Sequence, residues 1–168
     1  MKNLVVFFSH AGETYFPDGY RVVEKGNAKI IAEKVQKLLQ ADIFEIETEK
    51  TYPIGYKECY DEALSEQKNG ELPKLKKHFS GIESFDKVVI VYPCWWGSMP
   101  QAVFAFLNEC DMSGKTIYPI CTHEGSGLGK SESDLKKVCP NSTVVGGLAI
   151  RGATANSCDE KLKKYFEE

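Results

Sequence analysis

The chain has 168 residues, 42% hydrophobic and 27% charged, with a net charge of −3. That length suits one domain spanning residues 1–168, with a core of its own. The mild negative balance excludes the clustered Lys and Arg that nucleic acid requires and any polybasic membrane patch. No apolar run approaches the roughly 18 residues of a spanning helix.

The N-terminal stretch Leu4-Val5-Val6-Phe7-Phe8 is too short for the apolar region of a signal peptide. Lys2–Phe8 reads instead as a strand buried on both faces. Asn27–Leu39 reads as a helix, because Ala28, Ile31, Ala32, Val35, Leu38 and Leu39 recur at helical spacing. Asp42–Thr48 alternates, with Phe44 and Ile46 opposite Glu45 and Glu47, as an edge strand does. Tyr56–Gln67 is a second amphipathic helix, stopped by Asn69-Gly70. Lys87–Tyr92 is another continuous apolar strand. Gln101–Cys110 is a helix with Pro100 at its start. Lys115–Cys121 is a strand, Ser131–Val138 a helix with Ser131 as candidate N-cap, Thr143–Ile150 a strand, and Ser157–Phe166 a terminal helix.

Strands that alternate with helices imply an α/β fold, with a parallel sheet covered by helices on both faces. Five strands fit the order 2-1-3-4-5 of a three-layer, doubly wound domain. In such a sheet ligands bind outside the carboxyl ends of the strands, where the winding direction switches between strands 1 and 3. The loops to search therefore begin at Ser9, Pro93 and Thr122.

The first loop, Ser9-His10-Ala11-Gly12-Glu13-Thr14, suits phosphate, since backbone N–H groups and hydroxyls can converge there before a helix. A plain strand-to-helix turn has the same composition. The second loop, Pro93-Cys94-Trp95-Trp96-Gly97-Ser98-Met99-Pro100, holds both tryptophans of the chain. Two adjacent indoles in a loop mark a contact surface, for which a flat tricyclic ring is one partner and another protein a second. The plainer alternative is that one indole, but not both, folds back to cap the core. The third loop, Thr122-His123-Glu124-Gly125-Ser126-Gly127-Leu128-Gly129-Lys130, imitates two nucleotide motifs and matches neither. With Gly125 and Gly127 as its first glycines, a dinucleotide fingerprint would need glycine at Lys130. A P-loop ending at Gly129 would need glycine at Glu124. The loop reads as flexible backbone that approaches a ligand closely. His123 and Glu124 are either an acid–base pair or surface polar residues.

Six cysteines stand at 59, 94, 110, 121, 139 and 158, with no Cys-x-x-Cys spacing. Several lie in apolar runs, so reduced thiols and a cytoplasmic setting are expected.

On the Tyr-Pro-Cys-Trp-Trp-Gly-Ser-Met-Pro and Thr-His-Glu-Gly-Ser-Gly stretches, the chain resembles the flavodoxin superfamily, and within it bacterial flavoproteins with a Trp-Trp-Gly flavin loop. The resemblance runs from Lys2 to about Gly152. It implies non-covalent FMN, with Ser9, His10 and Ala11 on the phosphate. Pro93, Cys94, Trp95, Trp96 and Gly97 would lie along the isoalloxazine, and Thr122, His123, Glu124, Gly125, Ser126 and Gly127 would close its other side. The family's phosphate loop reads Ser/Thr-x-Thr-Gly-x-Thr, and here Ala11 replaces one hydroxyl. Residues Tyr15 to Lys25 also intervene before the helix. A split phosphate site follows, with Asn27 and Ala28 at the helix start supplying the second half by backbone. The insertion, with Tyr15, Phe16 and Tyr20, suits a flavin shield, a contact with a second copy in a homodimer, or a mobile surface loop.

Trp stacking and the Glu124 carboxylate would both disfavour added electrons on the flavin. The role expected is an electron carrier between redox partner proteins; the alternative is an oxidoreductase using NAD(P)H and a small acceptor such as a quinone. A cofactor-free signalling module of the same topology would need acidic residues where Ser9-His10 stand.

Overall fold

A computed structural model describes residues 2–168. Its elements in order are β1 (Asn3–Phe7), β2 (Gly12–Phe16), β3 (Gly19–Val23), α1 (Asn27–Leu39), β4 (Asp42–Glu45), α2 (Tyr56–Asn69), β5 (Lys87–Pro93), α3 (Gln101–Glu109), β6 (Thr116–His123), α4 (Ser131–Val138), β7 (Thr143–Val144), β8 (Leu148–Arg151) and α5 (Asp159–Glu167). Short 3-10 turns lie at Ile82–Ser84 and Gly152–Ser157.

The main sheet runs β4-β1-β5-β6, with β7 and β8 both flanking β6, and every pairing in it is parallel. Successive side chains of a strand point to opposite faces. Hence Val5, Phe7, Val89 and Val91 pack with α1 and α5 on one side. Leu4, Val6, Val88, Ile90 and Tyr92 pack against Ala102, Val103 and Phe106 of α3 and Leu135 of α4 on the other. Burial on both faces explains why these strands are apolar without alternation.

Counted by position, the order is the expected 2-1-3-4-5, with one difference. The fifth position is two strands, not the single Thr143–Ile150. Val145 still donates to the Ile117 carbonyl, but the Gly147 N–H turns away to Glu132 Oε1 of α4 at 2.6 Å. Pairing with β6 resumes at Leu148. The insertion after β1 is also not a loop. It is a two-stranded antiparallel hairpin, β2–β3, turning at Pro17-Asp18 with Gly19 at φ 123°. Pro-Asp-Gly is a turn sequence with a mechanism, so this hairpin was readable. Ser131 is not the N-cap of α4 but its first residue, fully buried, with its hydroxyl donating to the Leu128 carbonyl and accepting from Tyr92. Pro100 serves as the N-cap of α3.

One buried polar cluster fixes the segment between β4 and α2. The Glu66 side chain is 2% exposed, and its carboxylate lies 2.7 and 3.0 Å from the Tyr52 hydroxyl, which donates to it. Lys50 Nζ reaches the same carboxylate at 2.6 Å and Glu62 at 2.8 Å. Burial and the facing Glu66 carboxylate hold the Tyr52 hydroxyl in its neutral, donating form. Removing the acceptor leaves that hydroxyl buried without a partner. Glu66→Ala should therefore cost about 2 kcal/mol and Tyr52→Phe about 1 kcal/mol. Urea unfolding that ranks them in the opposite order would contradict this arrangement.

Candidate functional site

The carboxyl ends of β1, β5 and β6 open into one pocket with a cavity volume of about 200 Å³. Its floor comes from the loops after these strands, one end from the start of α1, and one side from α2 and the hairpin.

The start of α1 presents backbone donors to the pocket. An α-helix starts with N–H groups that have no intrahelical partner. The Lys29 N–H donates to Ser9 Oγ at 3.2 Å, and the Ile30 N–H takes the Gly26 carbonyl. Among the described residues, the N–H groups of Asn27 and Ala28 have no partner. The first turn itself carries no acidic side chain to cover the positive end of the helix dipole; the neighbouring carboxylate, Glu124, comes from the third loop and meets Asn27 beside Gly152. Gly26 permits this approach: a Cβ there would fall 2.2 Å from Ser9 Oγ and 2.5 Å from the His10 carbonyl. His10 Nε2 lies 2.9 Å from the Pro53 carbonyl, a contact that requires the proton on Nε2. Burial pushes the His10 pKa down, so the ring there is the neutral Nε2–H form.

The two tryptophans take opposite roles. Trp95 turns inward and meets Phe8 (5.2 Å), Tyr52 (5.2 Å) and His10 (6.1 Å) edge to face. Trp96 faces out, its ring 3.8 Å from Tyr60 and its indole N–H donating to the Tyr60 carbonyl at 2.8 Å. Trp95 and Ser98 exchange backbone hydrogen bonds of 2.9 and 3.2 Å around Trp96-Gly97. Both central residues have positive φ, 53° and 74°, as a type I′ turn demands. Glycine adopts that shape freely, whereas a tryptophan there is strained by about 1–3 kcal/mol. The surrounding bonds hold it.

The third loop supports the second. The Lys130 N–H donates to the Gly97 carbonyl at 2.6 Å. Gly129 lies so close that a Cβ would fall 2.3 Å from that oxygen. Cys94 sits on the pocket wall between the two loops. Hydrogen bonds from the Cys121 thiol, Ser126 and the Gly97 backbone outweigh its burial and pull its thiol down to about 6. Cys121 is driven the other way, chiefly by the neighbouring Cys94 and by burial, and keeps its proton, which faces the Thr122 and Gly127 carbonyls.

Of the residues marked from sequence, Ser9, His10, Asn27, Ala28, Pro93, Cys94, Trp95, Trp96, Thr122, His123 and Glu124 line the pocket. Ala11, Gly97, Gly125, Ser126 and Gly127 do not. Ala11 is exposed just before the chain turns into the hairpin. The Gly97 carbonyl is taken by Lys130, and the Gly125 N–H by His123 Nδ1 at 2.9 Å. Ser126 is exposed and serves Cys94, and the Gly127 carbonyl faces the Cys121 thiol. His123 and Glu124 are not a pair: Glu124 Oε1 accepts from the Ala153 N–H at 2.7 Å, and Oε2 is buried without a partner. Burial first, then the Arg151 charge, holds His123 below its usual pKa.

Glu13 and Thr14 of the first loop and Tyr15 of the insertion also line the pocket, whereas Tyr56, Cys59, Tyr60, Ala63 and Gly152 were not marked from sequence. Thr14 lines the pocket but donates to the Gly12 carbonyl at 3.3 Å. Four of these, Tyr56, Cys59, Tyr60 and Ala63, lie on one face of α2 at helical spacing. That signal was present, but periodicity alone assigns such a face to the core.

The family model for flavodoxin matches residues 20–168. No curated protein matches the chain by sequence. Solved structures that share its fold include the following. A Bacteroides uniformis protein whose assignment as a flavoprotein is provisional superposes with a TM-score of 0.78 at 21% identity, covering 99% of this chain and 98% of that one. A flavoprotein in complex with FMN from Lactobacillus acidophilus NCFM gives 0.70 at 18% identity, covering 92% and 96%. Oxidised flavodoxin 1 from Bacillus cereus gives 0.56 at 12% identity, covering 100% and 99%.

The two indoles should separate in stability. Trp95→Ala removes an indole from the core and should cost about 3 kcal/mol. Trp96→Gly loses the Tyr60 contact but relieves the left-handed strain, and should stay within about 1 kcal/mol of the parent. Equal losses on chemical unfolding would refute the division. Cys94 should be alkylated by iodoacetamide with a rate midpoint near pH 6. Ser126→Ala, which deletes one donor, should move that midpoint up.

Proposed function

Because the chain belongs to the flavodoxin family, we propose that its pocket holds FMN non-covalently and that the protein is an electron carrier. FMN when bound supplies one- and two-electron transfer, a chemistry of the cofactor that the protein tunes. The observation that carries the reading is the start of α1, where two partnerless N–H groups and Ser9 Oγ converge on a pocket that is walled, elsewhere, by Trp95 and Trp96. A doubly charged phosphate suits that helix end. A flat ring would suit the wall, held by Pro93, Cys94 and Trp96 of the second loop and by Thr122 and His123 of the third. The L. acidophilus protein of the same fold was solved with FMN.

Within this reading Asn27 and Ala28 bind the phosphate through backbone, and Ser9 positions it while fixing the Lys29 N–H. His10, neutral, adds no positive charge. The strained Trp96 turn holds one aromatic face in place before any ligand arrives, which lowers the cost of ordering it. Glu124 sets a negative charge beside Asn27 and Gly152, where it opposes electrons added nearby. A carrier needs no catalytic side chain, and the pocket's two histidines are both engaged by backbone groups. The second reading, a reductase of small acceptors using NAD(P)H, is favoured by the open tyrosine side of the pocket.

Mixing flavin-free protein with FMN and with riboflavin tests the assignment. With two charge-assisted hydrogen bonds at about 1.5 kcal/mol each, FMN should bind about 100-fold tighter than riboflavin, which lacks the phosphate. Equal affinity would remove the α1 site, and no flavin spectrum at all would remove the function. In the loaded protein Glu124→Gln should raise the flavin potential in a redox titration; an unchanged or lower value would show that Glu124 does not tune it. Oxidation of NAD(P)H in the presence of a quinone separates the reductase from the carrier.

A further inference from the structure

The inserted hairpin is not inert packing, because it completes a wall of rings. Tyr15 and Tyr20 stand opposite each other on β2 and β3, their rings 5.4 Å apart. Tyr20 lies 5.1 Å from Tyr56 at the start of α2, and Tyr56 stacks on Tyr60 at 5.8 Å with planes 24° apart. Tyr60 in turn contacts Trp96 at 3.8 Å. Five rings thus run unbroken from the hairpin tip to the tight turn of the second loop. Tyr15, Tyr20 and Tyr60 remain 41%, 59% and 43% exposed. Contiguous exposed apolar surface of this kind marks a binding site.

The wall is held in place without a ligand. Glu13 Oε1 accepts from the Tyr56 N–H at 2.9 Å, and the Glu13 N–H donates to the Ile54 carbonyl at 2.8 Å. Hairpin and helix are thereby locked at a fixed separation. Tyr15, Tyr56, Tyr60 and Trp96 all line the cavity that also holds the α1 end. The surface is therefore concave and continuous with the proposed flavin site, and Glu13, its one charged neighbour in the lining beside these rings, is already engaged.

We infer that the tyrosine part of this wall, Tyr15, Tyr20, Tyr56 and Tyr60, is a second subsite, which takes a small, flat, uncharged ring compound of the quinone class beside the flavin, with Trp96 left to the flavin side. The inference rests on FMN occupying the pocket, and it favours the reductase role over the carrier. Stacked and edge-to-face rings with hydroxyl tips suit such a molecule, which offers π-faces and two carbonyl acceptors. A protein partner or a second copy would instead press on the outward Val22 and Ile54, which are 69% and 67% exposed.

The test uses FMN-loaded protein and 2,3-dimethyl-1,4-naphthoquinone, whose blocked ring does not add thiols, in equilibrium dialysis. FMN affinity is measured in parallel for every variant. Tyr15→Ala/Tyr20→Ala should weaken the quinone roughly tenfold and leave FMN affinity unchanged, since each lost ring contact is a modest term. Tyr15→Phe/Tyr20→Phe should keep at least part of the binding, and Val22→Ser/Ile54→Ser should keep all of it. Retention of quinone by the alanine pair, or equal loss in the Val22/Ile54 pair, would overturn the subsite. So would loss of FMN by the alanine pair, which would mean that the wall holds the flavin itself. A parent protein that binds FMN but no quinone sinks this inference alone, whereas one that binds no FMN sinks the function beneath it.

Discussion

The site depends on a hydrogen bond that does less than it could. Ser9 Oγ accepts the Lys29 N–H at the start of α1 and leaves the two preceding N–H groups alone. An ordinary N-cap residue on the helix itself would have occupied part of that end with its own side chain. Here the capping oxygen comes from the end of β1, eighteen residues before the helix starts, across the inserted hairpin. Gly26 makes that reach feasible, since any side chain there would collide with Ser9 and His10. The helix end is thus tied to the sheet and still open to an anion. Every other part of the pocket is arranged around that fixed point.

The second loop is organised by a different constraint. A type I′ turn presents Trp96 outward, and a tryptophan is a costly occupant of left-handed backbone. The strain persists because both ends of the turn are bonded to each other, the Trp96 indole is bonded to α2, and the Gly97 carbonyl is bonded to Lys130. The glycine-rich third loop, which imitates nucleotide-binding motifs in sequence, is in fact a buttress for this turn. Gly129 is there so that backbone can meet backbone. The same convergence leaves the Cys94 sulfur surrounded by donors, which accounts for its acidic thiol.

Much of this was legible beforehand, for physical reasons that differ from place to place. The continuous apolar runs of β1 and β5 announced strands covered on both faces, and the alternation in β4 announced the sheet edge. Those patterns fix topology, and topology fixes which loops lie at the carboxyl edge. The expected meeting of the first loop with the distant helix start is seen in Ser9 Oγ, which takes the Lys29 N–H across the insertion. The hairpin is signalled only by Pro17-Asp18-Gly19, since its short strands pair with each other outside the main sheet and carry no buried apolar face that periodicity would reveal. The break between β7 and β8 was beyond reach, since it depends on Glu132 of a different element taking the Gly147 N–H.

The sequence by itself determined the fold, the edge of the sheet at which the pocket opens, and the loops that reach it, because hydrophobic periodicity is a local property with a global consequence. Tertiary structure alone decided which indole faces inward, since Trp95 and Trp96 are chemically identical neighbours and only Phe8, Tyr52 and Tyr60 tell them apart. It also decided that His123 and Glu124 part company, each to a different backbone N–H. Finally, it brought residues 15 and 20 against residues 56 and 60. Five rings spread over eighty residues of chain become one wall only when the hairpin folds back onto α2, and no local pattern encodes that meeting.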